Sequence, residues 1–163
     1  MKLGKKTILL MGLPVGLAAV GGLAMMTLGG SSVAAKVPDP KTGQHGFMLA
    51  LDERVINLKQ TGPTAYRYAK VGLTVEIRPE TPAYYDLVGK PRADSDKELV
   101  AAYAADVPLL LDALGNIVSA RDSATIATVE GRAGLKADLL TQAREILGQD
   151  AVLDVYFTDL VMQ

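Results

Sequence analysis

Apolar and polar positions divide the chain into two unequal parts. From Thr7 to Leu28 nearly every residue is Ile, Leu, Met, Val, Ala or Gly, and no charge falls between Thr7 and Ala35. Beyond Gly46 the apolar residues recur with the periods of strands and helices. Phe47–Leu58 (FMLALDERVINL) is rich in apolar and β-branched residues, and Gly62-Pro63 within Lys59–Thr64 marks a turn. Tyr66–Ile77 then alternates, with Tyr66, Tyr68, Val71, Leu73, Val75 and Ile77 as its apolar set and one slip near Ala69-Lys70 that suggests a bulge. The two runs predict an antiparallel hairpin. Arg78–Asp94, interrupted by Pro79, Pro82, Gly89 and Pro91, reads as a loop. Ser95-Asp96-Lys97-Glu98 fits a capping box. Leu99, Tyr103, Val107, Leu110, Leu114, Ile117 and Val118 follow at helical spacing, and Pro108 predicts a kink or a break among them. Ala120–Ala127 reads as a short polar connection. Thr128 is the expected N-cap of a further helix, with Glu130 in its first turn. Leu135, Leu139, Leu140, Ala143, Ile146 and Leu147 form that helix's apolar face, and Gly148 stands past its end. A last strand is expected from near Val152 to Gln163. Its Tyr156, Thr158, Leu160 and Met162 fall on one face and Val155, Phe157 and Val161 on the other, which predicts an interior strand covered by helix. The order strand, strand, helix, helix, strand is that of an α+β domain with helices packed on an antiparallel or mixed sheet.

The first part of the chain predicts a membrane anchor. Thr7–Leu28 is 22 residues long, enough for a helix of roughly 30 Å, the thickness of the hydrocarbon layer. Lys2, Lys5 and Lys6 precede it, so the N-terminus is expected to stay inside and the remainder to cross. The competing reading is a cleaved export signal ending near Ser32-Val33-Ala34, against which the length of the apolar run counts. Gly12, Gly16, Ala18 and Gly22 are spaced as small residues are where membrane helices pack closely, although Gly and Ala are frequent throughout the run. Gly29–Gly46 (GGSSVAAKVPDPKTGQHG) has no apolar period and reads as a flexible tether. The expected organisation is therefore a cytoplasmic N-terminus at 1–6, a transmembrane helix at 7–28, a linker at 29–46 and an extracytoplasmic domain at 47–163.

Charge and composition narrow the chemistry. Four of the 17 basic residues and none of the 18 acidic ones lie in the first 36 positions, which leaves 13 basic against 18 acidic residues beyond them, a net charge of about −5. A domain of that balance offers no surface for a phosphate backbone, so nucleic acid is not an expected partner. The chain has no Cys and one His, His45 in the tether. Disulfides, thiolate catalysis and a Ser-His-Asp set with a structured histidine are thereby excluded. HExxH, P-loop and GxGxxG patterns are absent from the sequence. Asp86, Asp94, Asp106, Asp112, Asp122, Asp154 and Asp159 each have an ordinary structural reading as cap, surface or ion-pair residues. No catalytic residue, cofactor or metal is expected. Tyr84 and Tyr85 are either a partner contact or a pin for their loop.

Three stretches resemble one family. Thr128-Val129-Glu130-Gly131-Arg132-Ala133-Gly134-Leu135-Lys136-Ala137-Asp138-Leu139 is similar to a helix start of the pattern T-P-E-G-K-x-x-L-R-x-E-L. Val155–Gln163 (VYFTDLVMQ) resembles a closing V-Y-F-T-x-F-V-x-Q. Ile56-Asn57-Leu58 with Tyr68-Ala69-Lys70-Val71 resembles V-N-L followed by Y-L-K-V. These are motifs of the FliL family of flagellar basal-body-associated membrane proteins, and the chain resembles that family throughout. Val129 stands where the family usually has Pro, Ala69 where it favours Leu, and Arg78–Asp94 has little family character. The resemblance singles out Asn57, Leu58, Thr128, Glu130, Gly131, Leu135, Tyr156, Phe157, Thr158 and Gln163 as structural motif residues. It implies a non-enzymatic protein of the inner (cytoplasmic) membrane that associates with flagellar stator units and supports torque generation and motility. It further implies a domain similar to the stomatin/prohibitin (SPFH) type and assembly of copies into a ring. The alternatives are a stomatin-like scaffold for another partner, or an exported binding protein or hydrolase released by signal cleavage.

Overall fold

A ten-residue strand, β3 (Tyr68–Ile77), runs through the middle of the sheet. Its sequence YAKVGLTVEI turns Ala69, Val71, Leu73, Val75 and Ile77 to one face, and all five are buried. The computed structural model describes residues 39–63 and 65–163. The predicted span, with Gly12, Gly16, Ala18 and Gly22, and most of the predicted tether lie outside those residues.

Among the described residues every strand pair is antiparallel and involves β3. β1 (Phe47–Ala50) and β2 (Arg54–Asn57) follow one another along one edge, β1 against Thr74–Ile77 and β2 against Tyr68–Val71. β4 (Val152–Met162) lines the other edge for nearly its whole length. The expected hairpin is present, but its first arm is interrupted. Between the pairs Ala50↔Thr74 and Arg54↔Val71 the outer strand has Leu51, Asp52 and Glu53 where β3 has only Leu73 and Gly72. One extra residue is accommodated there, as at a bulge. The alternation of β3 itself has no slip near Ala69-Lys70. Ala69 is the inward residue, whereas Tyr66 and Tyr68, assigned to the apolar set from sequence, are exposed.

The closing strand corrects two expectations. It pairs only with β3 among the described residues, so it is an edge strand and β3 is the interior one. Its faces also differ from a strict alternation. Gly72 pairs with Asp159 and Leu73 with Phe157, which skips Thr158; Glu76 pairs with Asp154 and Ile77 with Val152, which skips Leu153. Each extra residue resets the alternation. Val152, Val155, Phe157, Leu160 and Met162 therefore all turn toward the core, and Tyr156 and Val161 turn away. The strand looked apolar on both faces because its inward residues are spaced by three, two, three and two.

Both flanking strands change register opposite Gly72. A Cβ on Gly72 would lie 2.5 Å from Thr158 Oγ1 and 3.3 Å from the Asp159 nitrogen, so the bulge in β4 occupies the space a side chain would need. Glycine in a strand interior costs backbone entropy, and close approach of a neighbouring chain is the usual reason to keep it.

The helices pack on the inward face. The loop expected at Arg78–Asp94 contains a 3₁₀ turn, Pro82–Asp86, and then the first turns of α1 (Gly89–Ala102). Ser95 consequently lies inside α1, with no capping box. Pro91 had suggested loop, but it occupies the first turn, where the missing N–H has no helical partner to lose. The break expected near Pro108 is present: α1 ends before Tyr103, α2 (Val107–Ser119) starts with Pro108 in its first turn, and the two are bent by 73°. α1 buries no residue fully. It is tied down by half-buried Leu99, by Tyr103 just past its end, whose ring stacks on Phe47 with centroids 6.2 Å apart, and by Asp96. Leu110, Leu114 and Val118 of α2 and Leu135, Leu139 and Ala143 of α4 (Val129–Leu147) fill the core above the sheet. No single helix among the described residues is long and apolar enough to cross a membrane.

The connection expected at Ala120–Ala127 holds a short helix, α3 (Ser123–Ala127), with Ile126 fully buried. Asp122 caps it, accepting from the Thr125 N–H at 2.8 Å and the Thr125 hydroxyl at 3.0 Å. These bonds, the backbone one first, hold the Asp122 carboxyl below the ordinary carboxylate range. Thr128 caps α4 as expected. Its hydroxyl accepts from the Gly131 N–H at 2.9 Å and donates to the Thr125 carbonyl at 2.9 Å, joining α3 to α4. Gly131 is required by that joint, because a Cβ there would overlap the Thr125 carbonyl. Past α4, Gly148 has a positive φ of 108°.

Two pairs of substitutions test this arrangement by chemical denaturation. Gly131→Ala is expected to lose about 1–3 kcal/mol through overpacking. Gly134→Ala, three residues along the same helix in open space, is expected to gain up to about 1 kcal/mol from helix propensity. Gly72→Ala is expected to lose about 1–3 kcal/mol as well, and Thr158→Ala in that background is expected to recover part of the loss. Strict additivity of the Gly72 and Thr158 changes would contradict the contact between them.

Candidate interaction surface

The register places a second set of side chains on the outward face of the sheet. They are Met48 on β1, Val55 and Asn57 on β2, Tyr68, Lys70, Thr74 and Glu76 on β3, and Asp154, Tyr156, Asp159 and Val161 on β4. Large apolar members of this set remain in contact with water. Val55 is 71% exposed, Tyr68 47% and Val161 45%. Isolated exposed apolar residues are ordinary on a protein surface; here several share one face of the sheet.

The polar residues of the face are organised around two centres. Lys70 bridges Glu53 at 2.8 Å and Asp159 at 2.9 Å. Glu53 lies in the break between β1 and β2, and Asp159 follows the bulge residue Thr158. The two irregularities thus deliver one carboxylate from each side to the same ammonium. Its hydrogen bonds to Glu53 and then Asp159 raise the Lys70 pKa above the usual lysine value. The cluster is solvated, and such pairs contribute little stability.

The second centre is Glu76, only 4% exposed. Its Oε1 accepts from the Gly46 N–H at 2.8 Å and its Oε2 from the Tyr156 hydroxyl at 2.6 Å, with His45 Nδ1 at 3.5 Å. The hydrogen bond to Glu76, followed by burial, pushes the Tyr156 phenol well above its ordinary pKa. Lys136 of α4 pairs with Asp154 at 2.8 Å and stands 4.9 Å from the centre of the Tyr156 ring. A buried carboxylate is costly unless it is bonded in this way. The arrangement is a satisfied polar tie and presents no unpaired nucleophile or base to a cavity among the described residues.

The carboxylates considered as chemical candidates do not converge. Asp122 is a cap, Asp154 and Asp159 are paired as described, and Asp112 accepts from Asn116 at 3.0 Å. Asp86 ends the 3₁₀ turn, Asp94 lies within α1 and Asp106 precedes α2. No group of three or more His, Asp or Glu residues able to hold a metal occurs among the described residues. An open groove of about 510 Å³ lies between β2 and α2, lined by Arg54, Val55, Ile56, Pro108 and Leu111 among others.

The other singled-out residues fall into the fold in different ways. Leu58 and Leu135 are core residues, and Phe157 packs against the core. Asn57 pairs with Tyr68 at the end of the sheet. The Gln163 carbonyl accepts from the N–H groups of Arg67 and Tyr68 at 2.8 and 2.9 Å, which ties down the end of β4. Thr128 and Gly131 form the α3–α4 joint, with Glu130 exposed in the first turn of α4. Tyr156 and Thr158 belong to the outward face. Of the two readings of Tyr84-Tyr85, pinning is the one the geometry favours. Tyr84 is 4% exposed, donates to Asp96 at 2.5 Å and carries the Arg92 guanidinium 3.9 Å above its ring. Burial, then the bond to Asp96, raises its pKa. Tyr85 is half-buried beside it. The sequence reading did not identify Lys70, Gly72, Glu76 or Arg92. Gly72 inside a β-branched run and Glu76 between two core residues were the signals available.

Comparison with known proteins identifies the family. The model of the family described as flagellar basal body-associated protein FliL matches residues 48–163, the whole sheet-and-helix unit apart from its first strand residue. A curated relative from Aquifex aeolicus (strain VF5), named "Flagellar protein FliL", is 30% identical over 131 residues, covering 80% of this chain and 68% of the relative. The chain belongs to the FliL family of flagellar basal-body-associated proteins.

Proposed function

We propose that the protein is a non-enzymatic accessory component of the flagellar motor that associates with stator units in the membrane and supports torque generation. The family match across residues 48–163 carries this reading, because it covers the folded domain and not a shared local motif. The exposed apolar face built on β2, β3 and β4 supports it as a surface for a protein partner. Residues 7–28 act in this proposal as a single-pass anchor in the cytoplasmic membrane, with residues 1–6 inside and the domain outside. Residues 29–46 link the two. The domain is taken as SPFH-like, and copies assemble as a ring around the stator. Tethering at the membrane raises the effective concentration of the outward face near its partner, so that weak contacts suffice.

Deletion of the gene is expected to impair swimming or surface motility while flagella still assemble, scored by tracking cells and counting filaments. Unimpaired motility in a clean deletion would reject the stator role. Val55→Asp and Val161→Asp each place a carboxylate opposite Lys70. They are expected to change domain stability by no more than about 1 kcal/mol, yet to reduce motility in complementation. Native protein is expected in the membrane fraction, released by detergent and not by salt, with an intact mass that includes residues 1–28. A mature protein starting near Ala35 would replace the anchor reading with an exported one.

A further inference from the structure

Ahead of β1 the chain lies along the domain from Asp39 to Gly46. Within this segment only Gly46 is buried, and Pro40 is the one apolar side chain that is even half-buried. Polar groups from three parts of the domain hold it. Arg78, immediately after β3, pairs with Asp39 at 2.5 Å. Arg92 of α1 donates to the carbonyls of Gly46 at 3.1 Å and His45 at 3.5 Å. Glu76 of β3 accepts from the Gly46 N–H, with His45 beside it. Gly46 itself passes so close to β3 that a Cβ would overlap the Ile77 carbonyl.

Each side chain that holds the segment also has a partner within the domain. Glu76 receives the Tyr156 hydroxyl. Arg92 is bonded to Asp96 at 3.2 Å and stacked over Tyr84. Arg78 donates to the Asp150 carbonyl at 2.9 Å. Removal of the segment would therefore leave the Glu76 side chain and the two guanidinium groups each with a partner in the domain. Segments without buried apolar area open at lower free energy than the core strands they lie on. Asp39–Gly46 buries little apolar area, only half of Pro40 and the glycine at its end, whereas β3 buries five core side chains.

We infer that Asp39–Gly46 is a releasable strap: docked, it fixes the point at which the upstream chain leaves the domain, and released, it adds its own length to the tether. The inference rests on the reading of residues 29–46 as a tether. Eight residues at about 3.3 Å each extend the reach by up to roughly 26 Å. The strap would thus set whether the domain is held short or allowed to search a wider radius for its partner.

Hydrogen–deuterium exchange of the full chain in detergent tests this without reference to motility or to membrane insertion, so its failure is separate from failure of the stator reading. The Gln44–Gly46 amides are expected to exchange more slowly than in an unfolded peptide and more rapidly than those of β3. Arg92→Ala is expected to speed strap exchange about tenfold or more, the effect of losing charge-assisted bonds, with β3 unchanged. Asp39→Asn, which lies at the surface and threatens no core contact, is expected to act in the same direction with a smaller effect. The inference is overturned if strap and β3 amides exchange together in the unaltered chain and both variants, or if the strap already exchanges at the unfolded-peptide rate.

Discussion

The domain depends on β3 serving two faces at once. Its odd-numbered residues from Ala69 to Ile77 are the floor of the core, and its even-numbered residues carry Lys70 and Glu76 on the opposite side. Every other strand is registered against it, so a shift by one residue would exchange the two sets. Gly72 is where this constraint is most visible. With no side chain at that point, the chain can admit a bulge in β4, and the outer strand can break between β1 and β2 opposite the same residue. Both irregularities return inward residues to the core face after the break.

Those irregularities also shape the surface. The break supplies Glu53 and the bulge region supplies Asp159, and Lys70 joins them across the sheet. Around that solvated cluster lie Val55, Tyr68 and Val161, all three exposed. A sheet with one face packed by helices and the other left open is a common α+β arrangement. This open face gathers exposed apolar residues on a protein whose family is associated with the flagellar basal body. The same face ends in the buried Glu76, which links the sheet to Tyr156 and to the segment that precedes β1. Surface, sheet and upstream chain are thereby connected through one carboxylate.

Local signals made much of this domain readable from sequence, and interactions across strands hid the rest. Thr128, the helical face from Leu135 to Leu147, and the break near Pro108 are short-range patterns, and the structure bears them out. The α+β class follows from the same patterns. The FliL resemblance rested on Thr128–Leu139, on Val155–Gln163 and on Ile56–Leu58 with Tyr68–Val71, residues that form the α3–α4 joint with the start of α4, the bulged edge strand and the paired ends of β2 and β3. Two insertions in β4 disguised its inward set, and no single-strand period reveals an insertion defined by a neighbour. The start of α1 was hidden because Pro91 is a breaker in a helix interior and harmless in a first turn. The surface was the least legible part. Tyr68 alternates with core residues and was assigned to them, and Tyr84 in a Pro-rich stretch is in fact held by Arg92 and Asp96 of the following helix.

The central claim is that the outward sheet face meets the motor. Site-specific photocrosslinking from Val161 in swimming cells, with Leu109 on α2 as an exposed control, tests it most directly. The expected result is a covalent product from Val161 that contains a stator membrane protein, with little or none from Leu109. Products of equal yield from both positions, or no stator protein captured from Val161, would contradict it.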